Sequence, residues 1–565
     1  MLLSTETVLQ SVYFCYNQRH CRSRLALLSH RIHMPLMKLC HAFGMAITHI
    51  LSKAASWPSL FVIVLLISAL ILSKTCLRRN KLPMPPGPPA EPLLGHIHVV
   101  PASKASLSYM KWSKEYQSDI LSFNMLSQRL VVLNSVRAAK DLLAIRSAIY
   151  SDRPQFTVYE SMGFDRTLAF LRWNGPFFRL HRRLAQTYFL KHKMSRYEKS
   201  QQREVSVVLK KLASDPASNV EQVMARFSAS IIFAISYGIK IQSDDSPFLK
   251  MAADVSYAVS NGGAVIGSPV DFLPFLVHLP SWLQDKALRW AAKWRPAITK
   301  VHDDPFQFTK DSPPDQSNCF ARELINREEQ LLEKGLAPEM DEHAMKGLAT
   351  TLNMAGYETT WATTTFFLHY MVLHPEVQLK AQKILDEVVG RDRLPTLDDQ
   401  HKLPYIDYII NEVLRINPAV PLGIPHRLIQ DDEYDGYFIP AGSTVIANTY
   451  AMMHDDRVYS SPEKFDPGRY APIENGGKGE PLPVGHFGFG RRICPGRHLA
   501  EASIWLATSS ILSTMSIEKR LGEEDVPIAP RSEVTNGLTS HLVELQCRVR
   551  PRDEISLRVI DQLVV

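Results

Sequence analysis

Residues 487–496 read Phe-Gly-Phe-Gly-Arg-Arg-Ile-Cys-Pro-Gly, and this run restricts the fold more than any composition figure does. Gly488, Gly490 and Gly496 permit turns and close backbone approach that other residues would block. The run therefore reads as a turning segment that delivers one sulfur, that of Cys494. Pro495 suits the first position of a helix. A helix is predicted to start there and to aim free N–H groups at the sulfur, stabilising its anionic form. Arg492 adds positive charge nearby. A thiolate so placed can ligate iron; as an axial ligand it pushes electron density onto a haem and favours O–O cleavage. The plainer reading is a buried structural thiol beside a glycine turn, a common fate for a single cysteine. The pattern F-x-x-G-x-R-x-C-x-G would arise by chance in about one such chain in ten thousand, which favours the ligand.

The run resembles the haem-binding signature of the cytochrome P450 family, and other marks of that family follow in order from roughly Leu82 to the C-terminus. The resemblance leans towards the membrane-bound fungal enzymes of natural-product pathways. It implies a mainly α fold with a minor β region, preceded by one N-terminal transmembrane helix, with Cys494 as ligand of a haem b iron.

Glu412-Val-Leu-Arg415 resembles the family's E-x-x-R pair. The i, i+3 spacing puts both side chains on one helical face, which by itself is common on solvated helices. The resemblance implies that Arg469, in Phe465-Asp-Pro-Gly-Arg-Tyr470, completes a buried charge network with them. Gly468 stands where the family usually has an acid, so one local contact is expected to be missing.

Ala355-Gly-Tyr-Glu-Thr-Thr360 resembles the oxygen-activation motif of a long central helix. Small residues there leave space over a haem. Thr359 can bond within the helix and distort it. Glu358 and Thr359 together are expected to relay protons. By resemblance, Arg153, Arg182, His426 and Arg492 serve the haem propionates, and Phe487 joins the cofactor-binding set. His426 also admits a plain core role. The tryptophan expected four residues before Arg182 is Phe178, which keeps a ring but lacks an N–H donor. Ala355, Val420, Leu422 and Ile424 resemble substrate-pocket positions, as do 155–171 and Gly537-Leu538. They are mostly apolar or small, which favours a lipophilic substrate.

The chain has 565 residues, 45% hydrophobic and 21% charged, enough for a large core. Its seven cysteines show no C-x-x-C pair, so neither a zinc site nor covalent haem attachment is indicated. The +7 net charge is unevenly placed. Residues 1–56 hold six Lys/Arg against one Glu, and 74–81 hold four Lys/Arg and no acid, leaving about −2 for the remainder. A nucleic-acid binder would concentrate positive charge on its folded domain, so that class is set aside.

Four regions are expected: a basic extension over 1–56, a transmembrane helix over 57–73, a basic and proline-rich hinge over 74–92, and a catalytic domain over 93–565. The uncharged run Ser59–Ser73, with Trp57 before it, is at the short end for a spanning helix. The basic cluster after it places the bulk of the protein on the cytosolic side. The odd segment 1–44 reads as a gene-model artefact with Met45 the better start. An Arg-rich, acid-poor targeting extension is the alternative. Helical periodicity is predicted near 343–372, 374–390 and 404–416, with strands near 128–133 and 437–447. The apolar, proline-broken stretch 269–283 resembles a lid that can touch lipid, or serves as a buried connector. The basic residues Arg179, Arg182, Arg183, Lys191, Lys193 and Arg196 read as a docking face for a reductase or as a solvated face.

The expected activity is a haem-thiolate monooxygenase on the endoplasmic reticulum membrane. It would take electrons from NADPH–cytochrome P450 reductase and oxidise a lipophilic metabolite, with terpenoid favoured over polyketide or indole. The alternatives are a haem-thiolate isomerase or peroxide-dependent enzyme, and a non-enzymatic haem sensor.

Overall fold

A computed structural model describes residues 82–565 except 93, 102, 127, 216–217, 263–267, 314–317, 523–525 and 565. The expected extension, membrane helix and basic cluster lie outside the described residues. Among the described residues, no helix is long and apolar enough to cross a membrane.

Helices dominate, and the longest is the 32-residue helix Glu342–Leu373. Asp341 caps it by accepting from the Ala344 N–H. The next two helices, Pro375–Val388 and Pro404–Ile416, each open on proline, where the missing N–H costs nothing. The central helix is buried over most of its length, with its threonines among the buried residues. It packs against Val220–Tyr237 and Arg497–Thr514, both also largely buried.

Among the described residues, eight short strands form three sheets. They are β1 (Ile120–Met125), β2 (Gln128–Leu133), β3 (His426–Arg427), β4 (Asp432–Tyr434), β5 (Tyr437–Ile439), β6 (Thr444–Ala447), β7 (Met515–Lys519) and β8 (Cys547–Pro551). The main sheet has the order β1-β2-β6-β3, with β2 and β6 parallel and the other pairs antiparallel. The strand-like stretch predicted near 437–447 holds two strands. A turn at Pro440–Ser443 parts them, with Gly442 at φ +84°. β5 pairs with β4 and β6 joins the main sheet.

The proline-rich stretch is docked as well as extended. Ser122 donates its N–H to Pro86 O, and Phe438 donates to Pro83 O. Leu82–Val565 forms one unit, so the docked prolines extend it ahead of residue 93.

Candidate active site

Cys494 sits in the turn between two elements. The run 487–496 includes a short 3-10 turn at Gly490–Arg492, and the following helix begins at Arg497 with Gly496 as its cap. The helix thus starts two residues later than predicted, and Pro495 stays in the turn. The reason is local: the Gly496 N–H is spent on the Cys494 sulfur, and the Cys494 N–H donates to Phe487 O at 2.8 Å. Gly490, at φ +55°, seats the run against residues 140–145; a Cβ there would lie 2.1 Å from Leu143 O.

Burial pushes the Cys494 thiol up, while the Gly496 N–H, Arg182 and Arg497 pull it down. The cations acting on the sulfur are therefore Arg182 and Arg497, where the sequence pointed to Arg492. Arg492 faces Arg153 and Arg182 instead.

These three arginines make an unusual cluster. Arg153 donates to the carbonyls of Ala169, Ile424 and Pro425 at 2.6–3.0 Å. Arg492 donates to Ser151 O and Leu171 O, both at 2.8 Å, and its buried Nη1 has no partner. Burial lowers Arg153 to about 9, Arg182 to about 10 and Arg492 to about 8. Mutual repulsion adds to the shift at Arg153 and Arg492. Asp152 is the acid acting on those two, and it is already shared. It accepts from the Trp173 N–H at 2.7 Å and faces Arg427 at 3.3 Å.

His426 is buried and donates from Nδ1 to Tyr150 O at 2.8 Å. Burial first, then Arg153 and Arg492, hold it well below the usual imidazole range. In this setting it is neutral and its Nε2 can only accept. An anion brought among these cations would reverse that balance.

Interior cations short of an anion, with a buried, unpartnered donor at Arg492 Nη1, are the setting a dicarboxylate needs. A haem would bring two propionates to it and its iron to the Cys494 sulfur. The residues present fit the group.

Phe178 is buried beneath Arg492, whose guanidinium carbon lies 3.7 Å from the ring centre. Phe178 thus orients a donor rather than acting as one. The expected docking stretch divides: Arg182 turns inward, whereas Arg179, Arg183 and Lys191 are exposed. Arg196 lies over the rings of Tyr188 and Tyr197.

Glu412, Arg415 and Arg469 meet with no exposure at all. Arg415 Nε donates to Glu412 Oε2 at 2.8 Å and Arg469 Nε donates to Glu412 Oε1 at 3.0 Å. Tyr470 OH and the Asp466 N–H also donate to Glu412. The acid missing at Gly468 has a substitute that sequence reasoning overlooked: Glu480 pairs with Arg469 Nη1 at 2.5 Å.

On the central helix, Ala355 and Thr359 are one turn apart on one face, and Ala355 is exposed in an otherwise buried stretch. Thr359 Oγ1 donates to Ala355 O at 2.8 Å. Glu358 faces elsewhere. Its Oε1 accepts from His541 Nε2 at 2.9 Å, and from Ser260 and Thr539. Adjacent helical residues do not face each other, and Glu358 and Thr359 have separate hydrogen-bond partners.

A cavity of about 1100 Å³ is lined by Leu422, Gly537 and Leu538 among others. Val420 and Ile424 pack instead against the apolar cluster that includes Phe156, Tyr159 and Met354.

A sequence model of cytochrome P450 matches residues 85–543. The chain belongs to the cytochrome P450 family. It is 35% identical over 490 residues to cytochrome P450 monooxygenase 136 of Postia placenta, covering 86% of this chain and 92% of that protein. It is 36% identical over 502 residues to cytochrome P450 monooxygenase claT of Ampulloclitocybe clavipes, covering 88% and 97%. Cytochrome P450 monooxygenase ple1 of Rhodocybe pseudopiperita is 34% identical over 493 residues, covering 86% and 92%. The protein is thus an oxidoreductase, a cytochrome P450 monooxygenase of fungal type. Its family carries haem on an axial cysteine thiolate and ordinarily draws electrons from NADPH through a reductase.

Proposed function

We propose that this P450 inserts one oxygen atom from O2 into a lipophilic secondary metabolite, with a terpenoid favoured over a polyketide or indole. Cys494 is the iron ligand in this reading. Arg153, Arg182 and Arg492 hold the propionates, and His426 joins them once an anion is present. When bound, the haem supplies the oxidising chemistry, and the protein supplies position and protons.

The open helical face at Ala355 and Thr359 carries the reading. The Thr359 hydroxyl is the group positioned to move a proton at that face, and its bond to Ala355 O orients it. The cavity lined by Leu422, Gly537 and Leu538 is large enough for a terpenoid-sized skeleton. Glu412, Arg415, Arg469 and Glu480 brace the segment that leads to Cys494.

Electrons come from an NADPH–cytochrome P450 reductase, with exposed Arg179, Arg183 and Lys191 contributing to its docking face. The catalytic unit lies on the cytosolic side of the endoplasmic reticulum, anchored by residues 57–73. Phe275, Trp282 and Leu283 of the lid stretch are exposed at 62%, 74% and 50%, which supports a lipid contact there.

Coexpression with a reductase, feeding of terpenoid, polyketide and indole skeletons, and mass spectrometry of products test the reading. A product 16 mass units heavier that requires both NADPH and reductase is expected. Product formed from peroxide without reductase would favour the peroxide-dependent alternative. Rearrangement without oxygen gain would favour the isomerase.

A further inference from the structure

Glu358 is 3% exposed, and a carboxylate so buried needs donors. Its donors come from two distant parts of the chain. Ser260 ends the helix Pro247–Ser260. Thr539 and His541 lie on the turn closed by the Val534–Leu542 bridge. That turn is pressed on the helix end: a Cβ on Gly537 would lie 2.3 Å from Ser260 O. Thr535 and His541 bond each other, and Ser540 donates its N–H to Ala419 O. The His541 ring sits 4.6 Å from the Trp361 ring, one helical turn beyond Glu358. Glu221 is a second acid within electrostatic reach of His541.

Two observations set this cluster apart from ordinary packing. His541 Nδ1 and Trp361 Nε1 are both buried without a partner. Such groups are uncommon and call for a reason. The donors are also chain neighbours of the cavity wall. Asn261 follows Ser260, and Leu538 and Ser540 flank Thr539; all three line the 1100 Å³ cavity.

We propose that His541, with Thr539 and Ser260, is a positioning residue for Glu358. It holds the carboxylate turned away from Thr359 until a lipophilic substrate presses on the 537–540 turn and loosens the hold. The inference rests on the proposed role of the Thr359 face in proton supply. It adds that substrate occupancy sets when Glu358 can join that face.

The test is the product formed per NADPH consumed. His541→Phe keeps a ring against Trp361 and removes the donor. Product per NADPH should fall about tenfold, with peroxide rising, since a mispositioned group can cost about a hundredfold. His541→Gln keeps a side-chain N–H and should restore most of the loss. In a Glu358→Gln background, His541→Phe should add nothing further. Unfolding midpoints give a readout apart from turnover: the two substitutions should be strongly non-additive in stability. Wild-type coupling in His541→Phe, or effects on coupling that simply multiply with those of Glu358→Gln, would overturn the proposal. Should His541→Phe fail to hold haem, Thr539→Val carries the same comparison with the same expected result. Thr359→Ala separates the two ideas. Normal coupling there removes the proton role of the helical face itself, whereas uncoupling there with normal coupling in His541→Phe removes only the positioning role.

Discussion

The guanidinium of Arg492 rests on the face of the Phe178 ring, 3.7 Å from its centre, in the interior of the protein. The ring is held in turn by Trp173, 5.3 Å away between centroids. A desolvated cation–π contact of this kind is worth about 2 kcal/mol. It aims the Arg492 group that has no protein acceptor at Nη1.

Phe178→Leu should therefore lower haem retention without unfolding the protein. The haem-to-protein absorbance ratio after gel filtration, with circular dichroism as a control, reads this directly. Arg182→Ala should lower it further, because Arg182 acts on the Cys494 side as well. Phe178→Trp should not rescue it, since the site is full and overpacking costs about 1–3 kcal/mol. Full haem content in Arg182→Ala would remove the arginine cluster from cofactor binding.

Cys494→Ser should abolish the red-shifted Soret band of the reduced carbon monoxide complex. The Glu412 network lies on other elements, so the far-ultraviolet dichroism should stay near wild type. A persisting band would put the iron ligand elsewhere.

Glu412 answers two buried arginines at once. Glu412→Ala leaves Arg415 without an acid and Arg469 with Glu480 alone, and should cost about 3–5 kcal/mol, seen as a large drop in the denaturant midpoint. Glu480→Gln weakens one charged hydrogen bond to Arg469 and should cost about 1.5–3 kcal/mol. Equal losses would mean that Glu480 shares the central role.

His181 and His302 set an acid limb of stability. Both are buried, and neither ring nitrogen of either has a partner. Burial lowers each to about 4. Unfolded, each takes its proton near pH 6.5, as ordinary histidine does. Between about pH 6.5 and 4 the unfolded chain thus binds more protons, and stability falls as pH falls. Above that window both states are neutral, and the stabilisation is fully present. Each histidine contributes a slope of about 1.4 kcal/mol per pH unit inside the window. Denaturant titrations of His181→Leu and His302→Leu should each show a flatter acid limb. An unchanged slope would mean that the ring is protonated or hydrated in the native state.

The sequence by itself determined features whose partners lie within one element or one turn. The 487–496 run marked Cys494 because its glycines and proline act on their own backbone. Glu412 and Arg415 were legible because an i, i+3 spacing is a helical neighbour relation. The helices near 343–372, 374–390 and 404–416 were legible in their periodicity, which is likewise a relation within one element.

Only the tertiary structure decided relations between distant segments. No pattern near Gly468 points to Glu480, because an ion pair needs proximity in space and has no fixed spacing. Arg182 and Arg492 look alike in sequence; the packing of the helix Phe178–Tyr188 turned one toward the sulfur and the other toward Arg153. Glu358 read as a partner of Thr359 through resemblance to the oxygen-activation motif, where the two are adjacent. On a helix adjacency points side chains about 100° apart, and a loop nearly two hundred residues later met the carboxylate instead. Side-chain direction and long-range donors set those contacts, and neither is written in local order.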